Sequence, residues 1–557
     1  MFRPVFIVAF AGHRKLPEPD AVRKAVRAQL VRLRERAEAV GGTLEYYASI
    51  AYGADAMAAE ECRDLEIPVH LILPKPVVFK KDDSGEINRK RGFAADFWDG
   101  DPHSGGSFRE ADWNRSLEQI EDAQNGVGGG SLRISSGSQT DPECYYESGL
   151  RMLETCDVLL AVWDGEEAHG LGGTGDMVEY ARHHDLPIVM VPPDGDSAGI
   201  RDERLVSFAR EDDAGLAMMH EVEAFCCAAE ETAPADEGAP DEGGDLFHRL
   251  DQYSKSEAAA FRNSLIKIIF AHGTATLVAA AAAILPQTLL AWKYVLAGLA
   301  MFEFMLIFWA LQRTRKLHHR LTHERWMRTR FATEIMRGLQ GSVGLLDPMH
   351  PLIARHLPEW RRFAITAGLQ VSRGSGAPLD WLKARDQYVA ERLRSPDWRK
   401  GQIAYFNEMQ PKAKFWFKLT SKFGSVLGWL ALGFVFCAFV FKCVLIGMKT
   451  MEYPYPKALA NTDGASLWPW LVDFAIKFLP IALPLAAGVF IALRTALDSG
   501  RRTYRYEELD ERLEAAATTL SALKTETAVR RTVAATEEIL LDEVIEWLLA
   551  EQQNGAH

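Results

Sequence analysis

Four long apolar runs in the second half of this 557-residue chain constrain its fold most strongly. A helix needs about 20 mostly apolar residues to cross the roughly 30 Å hydrocarbon core of a bilayer. The runs at about 265–285, 292–311, 423–448 and 468–497 meet this requirement. The first half instead alternates short apolar strands with amphipathic helices. We therefore predict a soluble α/β domain followed by a four-helix transmembrane bundle.

The flanks of the apolar runs predict their orientation. Basic residues are dense at 312–330, 412–422 and 499–505, whereas the two loops that join the paired runs contain few. Lysine and arginine accumulate on the cytoplasmic side of membrane proteins. The chain is therefore expected to be a multi-pass protein of the cell inner membrane, with both its N-terminal and C-terminal parts in the cytoplasm.

Several ionisable residues fall in or near the predicted spans. Glu303 lies mid-span, where a charge costs at least about 2.5 kcal/mol. It is either protonated or paired inside the bundle, or it faces a water-filled path. Lys442 and Asp473 are both expected toward the outer side, which favours a stabilising pair. His272 and Lys477 complete the candidate gating residues.

Composition and charge argue against two kinds of ligand, nucleic acid and metal ions. The net charge of −13 argues against nucleic-acid binding, which needs clustered lysine and arginine. The seven cysteines show no metal-ligand spacing, so reduced thiols and no bound metal are expected.

The sequence predicts four consecutive parts. The first is an α/β domain at 1–215 with a loop-rich insertion at 80–143, and the second is an acidic linker at 216–260. A four-span domain follows at 261–497, with cytoplasmic helices at 312–422, and the last part is a C-terminal cytoplasmic helix at 498–557.

Helical motifs accompany the predicted spans. Their residues are Trp326, Arg330, Glu334, Arg337, Tyr388, Arg392, Gln402, Tyr405, Phe406, Glu543, Glu546 and Trp547. The final helix repeats leucine and alanine at helical spacing, which fits either a coiled coil between subunits or packing on the chain's own helices. Over roughly residues 255–557, these motifs resemble the SLATT family of membrane effectors of bacterial conflict systems. The resemblance implies a pore-forming membrane domain.

Near-continuous apolar strands between helices in the first half predict a Rossmann-like parallel sheet covered on both faces. In such sheets, ligands bind where strand ends meet helix starts. Three strand ends carry candidate ligand-binding residues. They are Gly12, His13 and Arg14 after the first strand; Gly53, Ala54 and Asp55 after the second; and Trp163, Asp164, Gly165, Gly172, Gly173, Thr174, Gly175, Asp176 and Glu179 near a later strand.

The third strand end has two interpretations. A glycine-rich loop that leads into a helix provides backbone N–H groups and a helix dipole for an anion. The sequence from Asp176 to Glu179 also fits a capping box, with Asp176 as the N-cap. Asp55 fits the N-cap region of its helix, and His13 could simply fill a turn. The three strand ends together favour ligand binding, with Arg14 holding a phosphate.

These residues resemble the SLOG superfamily of nucleotide-binding domains over roughly residues 1–200. The related LOG enzymes cleave nucleoside monophosphates through a glycine-rich motif that Gly172, Gly173, Gly175 and Glu179 match. Leu171 replaces the motif's proline, and Asp176 replaces its threonine. A carboxylate there would repel a monophosphate, which argues against hydrolysis of the LOG type, whereas nucleotide binding still fits the resemblance.

The two resemblances together imply an antiviral membrane effector. A nucleotide second messenger, such as a cyclic nucleotide or an ADP-ribose derivative made by a partner enzyme, would bind the first domain and trigger pore formation by a homo-oligomer in the lipid bilayer. Two alternatives stay open. One is a membrane-tethered nucleotide N-glycosidase with Glu179 as its catalytic residue, and the other is a constitutive channel or transporter with a regulatory domain.

Overall fold

The chain divides into two compact units. The sheet unit comprises Met1–Tyr253, Thr329–Val389 and Thr519–His557, and the membrane-helix unit comprises Ser254–Arg328 and Ala390–Thr518. The computed structural model describes residues 3–77, 89–90, 92–100, 105–134, 141–168, 170–232, 242–282, 290–319, 322–346, 357–374, 380–397, 401–450, 474–497 and 499–555.

The sheet unit contains a seven-stranded sheet in the order β6-β3-β2-β1-β7-β8-β9. All neighbouring strands are parallel except the last pair, β8 and β9. The predicted mostly parallel α/β sheet is thus confirmed. Its strands are β1 (Val5–Gly12), β2 (Thr43–Ala48), β3 (Val69–Leu73), β6 (Ser131–Ile134), β7 (Val158–Val162), β8 (Ile188–Val191) and β9 (Arg201–Glu203); a separate antiparallel pair is formed by β4 (Trp98–Asp99) and β5 (Ser107–Phe108).

The central strands are buried on both faces, as their apolar sequences predict. Phe6, Ile7 and Val8 of β1 are fully buried, and β7 is buried along its whole length. Along the chain, α1 follows β1, α2 follows β2 and α3 precedes β6. Helix α4 precedes β7, and α5 follows it. Their bounds are α1 (Pro19–Ala39), α2 (Ala54–Asp64), α3 (Glu110–Gln124), α4 (Asp141–Thr155) and α5 (Thr174–His183).

The segment predicted as a loop-rich insertion contains elements of the sheet unit. Strand β6 pairs with β3 at the sheet edge, and α3 follows a 3₁₀ turn at Gly92–Phe97. Trp113 of α3 is 1% exposed, and its ring centroid lies 5.2 Å from that of Phe97. Aromatic packing of this kind ties the segment to the core.

We expect Trp113→Ala to lower the free energy of unfolding by about 3–5 kcal/mol, because it removes a large buried ring and leaves a cavity. Val127→Ala is the matched control, since Val127 belongs to the same segment and is 56% exposed. Thermal melts of both variants test the expectation. Equal melting temperatures would show that the segment does not contribute to the core.

Helices from the second half of the chain also belong to the sheet unit. These include α10 (Pro358–Gly374), whose Ile365 and Leu369 join the hydrophobic core of the sheet. Helix α6 (Ala214–Thr232) overlaps the first part of the predicted acidic linker at 216–260 and buries Met219 and Val222. The sheet unit further contains part of α9 (Thr322–Gly341), α11 (Trp381–Gln387) and α15 (Glu526–Gly555).

Among the described residues, four helices are long and apolar enough to span a membrane, which confirms the expected multi-pass membrane character by length and composition. The candidate spans are Phe247–Ala282, Tyr294–Lys316, Gln402–Phe441 and Phe474–Ala522. The corresponding helices are α7 (Glu242–Ala282), α8 (Leu290–His319), α12 (Gln402–Thr450), α13 (Leu479–Ala496) and α14 (Ser499–Ala522), with a π-helical turn at Phe474–Phe478.

Within the membrane-helix unit, α12 and α13 pack against each other, and the rings of Phe423 and Phe490 stack with centroids 5.3 Å apart. Much of the remaining apolar surface is exposed, including Trp429 and Phe436, as expected of helices that face lipid.

The candidate gating residues occupy different surroundings. Glu303 is half-buried on α8, and His272 and Lys477 are exposed. Lys442 lies in α12, but its side chain, like the whole of Asp473, falls outside the described residues.

Among the SLATT-like motif residues of the sheet unit, Glu334 is 3% exposed and accepts a 2.6 Å hydrogen bond from Arg337. Arg330 lies 3.7 Å from the same carboxylate. In the membrane-helix unit, Trp326 stacks on Phe261, and Phe406 packs against Tyr506. Glu334 is therefore held by charged partners, whereas Trp326 and Phe406 pack against aromatic rings.

Candidate functional site

A cavity of about 750 Å³ opens at the carboxyl ends of the parallel strands. The strand order runs outward from β1 through β2 in one direction and through β7 in the other. Such a reversal creates the crevice in which open α/β sheets bind ligands. The cavity size lies within the range of small-molecule and cofactor sites, about 300–1,000 Å³.

The cavity brings together residues from all three predicted strand ends. Those that line it are Gly12, His13, Arg14, Asp55, Trp163, Asp164, Gly172, Gly173, Thr174 and Gly175. Five further candidates do not line it: Gly53, Ala54, Gly165, Asp176 and Glu179. Glu179 is exposed on α5, and Ala54 is buried beside Gly12.

Arg14 lies against aromatic rings at the cavity. Its guanidinium carbon is 5.4 Å from the ring centroid of Tyr52 and 5.8 Å from that of Tyr145. Within the described residues, no carboxylate lies within ion-pair distance of it. Cation–π contacts orient a guanidinium without using its five N–H donors. Arg14 is therefore oriented yet able to bind an anion bidentately.

The turn before α2 supports the backbone of Arg14. Gly53 has φ of +95°, and a Cβ atom there would lie 2.4 Å from the carbonyl oxygen of Arg14. A side chain would collide with that backbone, so the close approach requires glycine. The sequence Gly53-Ala54-Asp55 thus has a structural role in its first two residues and lines the cavity only with its third.

Asp55 is the most perturbed acid at the cavity. Its side chain is buried, and its Oδ1 atom has no hydrogen-bond partner among the described residues. Burial raises the pKa of Asp55 to about 7, although Arg14 and the backbone N–H groups of Ala51 and Gly12 act in the opposite direction. An unsatisfied buried oxygen is costly unless a ligand or water completes it. This carboxyl is therefore suited to hydrogen-bond a ligand hydroxyl or amine.

The end of β7 is held by its own hydrogen bonds. The backbone N–H of Asp164 donates to His13 Nε2 at 3.2 Å, and Asp164 Oδ1 accepts from the Glu166 N–H at 3.0 Å. Trp163 Nε1 donates to the Glu166 carbonyl at 2.9 Å. His13 thus joins the ends of β1 and β7 instead of merely filling a turn.

The glycine-rich loop corrects one prediction. Helix α5 begins at Thr174 with Gly173 as N-cap, three residues earlier than a cap at Asp176 would require. Asp176 lies in the first turn, and its Oδ2 accepts from the Gly172 N–H at 2.8 Å. Gly173 supplies the extended N-cap backbone without a side chain, so the helix can start there. The N-cap assignment of Asp176 is wrong, but its role in fixing the loop is structural.

The charges around the cavity are asymmetric. Arg14 and Lys15 line it near β1 and β2, whereas Glu166 and Glu167 line it after β7. A ligand with a phosphate toward the cationic part and hydroxyl or amino donors toward the carboxylates would match this distribution.

Two important cavity residues were not predicted from the sequence. Tyr52 directly precedes the Gly53 motif, so its position was a usable signal. Tyr145 comes from α4, and its hydroxyl donates to Asp96, which also lies 3.1 Å from Lys75 Nζ. No local pattern indicates that these distant segments meet.

No protein-family model and no curated protein matches the chain. Within the described residues, no group of three or more histidine, cysteine or acidic side chains is placed to hold a metal ion. What the described residues show is the coarser organisation, a mostly parallel α/β sheet and four candidate membrane spans.

Proposed function

We propose that the chain is a SLOG–SLATT-type membrane effector of a bacterial antiviral system, opened by a nucleotide second messenger. The observation that carries the proposal is the cavity at the β1–β7 crevice. Arg14 and Asp55 both line this cavity, and among the described residues the Asp55 Oδ1 atom has no hydrogen-bond partner. The described part of the chain also contains four candidate membrane spans.

The cavity chemistry supports an anionic, hydroxyl-bearing ligand. Arg14 binds a phosphate, with the first N–H groups of α5 as further donors. Asp55 binds a ribose hydroxyl or an amino group. A cyclic nucleotide or an ADP-ribose derivative, supplied by a partner enzyme, carries both groups. Binding shifts the membrane helices of a homo-oligomer, provided that the ligand binds the open state more tightly than the closed state.

The binding half of the proposal is tested by thermal stabilisation of the full-length protein in detergent. The panel contains cyclic dinucleotides, cyclic trinucleotides, ADP-ribose forms and mononucleotides. A ligand at about 100 times its Kd should add about 2.7 kcal/mol of stability. The full chain is required because a fragment of residues 1–215 would lack α10, which completes the core.

Nucleotide N-glycosidase activity is the enzymatic alternative, and Glu179 would be its catalytic residue. Glu179 is exposed and does not line the cavity. We therefore expect no free base from any mononucleotide, and we expect Glu179→Gln to leave ligand-induced stabilisation unchanged. Chromatographic detection of released base checks this. Base release by the wild type that is abolished in Glu179→Gln would favour the enzyme.

A constitutive channel is the second alternative. It predicts dye release or ionic current in vesicles without any nucleotide. The proposed effector instead predicts low basal release that rises with one class of ligand.

A further inference from the structure

Helix α10 occupies an unusual place in the chain. In sequence, it lies between the two pairs of candidate spans, yet it folds within the sheet unit. The segments on either side, Ser254–Arg328 and Ala390–Thr518, form the membrane-helix unit. The backbone thus passes from the first pair of spans into the sheet unit and then on to the second pair.

Arg362 attaches α10 to the amino ends of the central strands. Its Nη1 donates to the Val5 carbonyl at 3.1 Å, and its Nη2 donates to Asp157 Oδ1 at 3.2 Å. Its guanidinium carbon lies 4.0 Å from the ring centroid of Phe6. Asp157 immediately precedes β7 and accepts from the Ile7 N–H at 2.8 Å. One arginine therefore contacts both the start of β1 and the start of β7.

Two neighbouring residues extend this attachment. Arg361 donates to the carbonyls of Thr155 and Cys156, the latter at 2.8 Å. Thr366 Oγ1 accepts from the Val5 N–H at 3.1 Å and is fully buried. These bonds satisfy the Val5 N–H at the start of β1 and two carbonyls at the end of α4 and just after it.

The far end of α10 has a second attachment. Arg373 donates to Glu45 Oε1 at 2.7 Å, and Glu45 Oε2 lies 2.6 Å from His70 Nε2. His70 Nδ1 in turn lies 2.7 Å from Ser131 Oγ. Because Glu45 is 2% exposed, its carboxylate depends on these partners. The chain of contacts joins α10 to β2, β3 and β6.

We name the contacts of Arg361, Arg362, Thr366 and Arg373 the amino-edge clamp. Strands β1 and β7 run from this clamp to the cavity. There β1 ends at Gly12, two residues before Arg14, and β7 ends at Val162, directly before Trp163. We propose that the amino-edge clamp couples the cavity to the membrane helices: a ligand that shifts β1 against β7 changes how α10 is held. This inference rests on the proposed function and names its regulation.

Vesicles that contain the full-length protein and a self-quenching dye test the clamp. The variants are Arg361→Ala with Arg362→Ala, and Arg373→Ala alone, which disturbs only the more exposed attachment. Coupling of about 1–3 kcal/mol should change dye release without nucleotide by about 5- to 150-fold. The control is Arg32→Ala, which breaks a 2.6 Å ion pair with Asp202 and should leave release within about twofold of wild type.

Hydrogen exchange of residues 358–374 reports whether the clamp is released. Faster exchange in α10, slow exchange in β7 and altered dye release support the inference. Faster exchange with wild-type dye release would overturn it, and so would wild-type exchange in both variants. If the clamp variants alter release but the wild type responds to no nucleotide in the panel, the proposed function fails, and only the link between the clamp and the membrane helices is retained.

Discussion

Arg14→Ala is expected to weaken ligand binding by about 10- to 100-fold. A hydrogen bond to a charged group contributes about 1.5–3 kcal/mol, and each 1.4 kcal/mol changes Kd tenfold. Arg14 is exposed, and Tyr52 and Tyr145 orient its guanidinium. Among the described residues, no carboxylate lies within ion-pair distance of it, so its N–H donors can bind a phosphate. The measurement is the nucleotide concentration at which the melting temperature of the full-length protein rises halfway.

Two further variants make this prediction specific. Arg14→Lys should give an intermediate affinity, because lysine keeps the charge but lacks the planar bidentate fork. Arg63→Ala should bind as tightly as wild type, since Arg63 bonds Glu118 and Asp122 and does not line the cavity. Unchanged affinity in Arg14→Ala would show that Arg14 does not bind the phosphate of the ligand.

Asp55→Asn is expected to stabilise the unliganded protein at pH 8, and the gain should shrink as the pH falls toward 4. Burial raises the pKa of Asp55 from 3.8 to about 7, so the folded state binds its proton more tightly than the unfolded state does. Stability therefore falls as the pH rises between these two values. A difference of about three pKa units corresponds to about 4 kcal/mol of unfolding free energy, which the wild type loses when the buried carboxyl ionises. The amide of the variant carries no charge and should avoid this loss. Melting temperatures from pH 4 to pH 8 measure the effect.

Asp164→Asn provides a control, because the contribution of this carboxylate to stability varies with pH in the opposite direction to that of Asp55. Burial raises the pKa of Asp164, but the Glu166 N–H and His13 outweigh it and hold the pKa below the ordinary value. Stability from this carboxylate is present above about pH 4 and is lost as the pH falls through the lowered pKa. Its side chain is 35% exposed, so the loss in the variant should be small. If the difference in melting temperature between Asp55→Asn and the wild type did not change with pH, the raised pKa of Asp55 would be contradicted.

The sequence predicts the features that are encoded locally. Apolar runs of about 20 residues identify the candidate spans, and short runs such as the one in β1 identify strands buried on both faces. Because parallel strands end at one edge, residues that follow different strands, such as Arg14, Asp55 and Trp163, could be expected to meet.

Features that depend on distant contacts were not predictable. Nothing in the sequence of α10 indicates that Arg362 would reach Val5 and Asp157, because its amphipathic pattern fits any apolar surface. The start of α5 was misplaced for a local reason: glycine at an N-cap leaves no side-chain signal, whereas Asp176 resembles one. The position of Tyr145 likewise depends on how α4 returns to the sheet.

Dye release from vesicles reconstituted with the full-length protein tests the central claim most directly. Each compound of the nucleotide panel is added to wild-type and Arg14→Ala vesicles. The account predicts low basal release, a marked rise with one ligand class in the wild type, and no rise at the same concentration in Arg14→Ala. Release that is high without nucleotide, or equal in the two proteins with every compound, would contradict control of the membrane helices from the β1–β7 cavity.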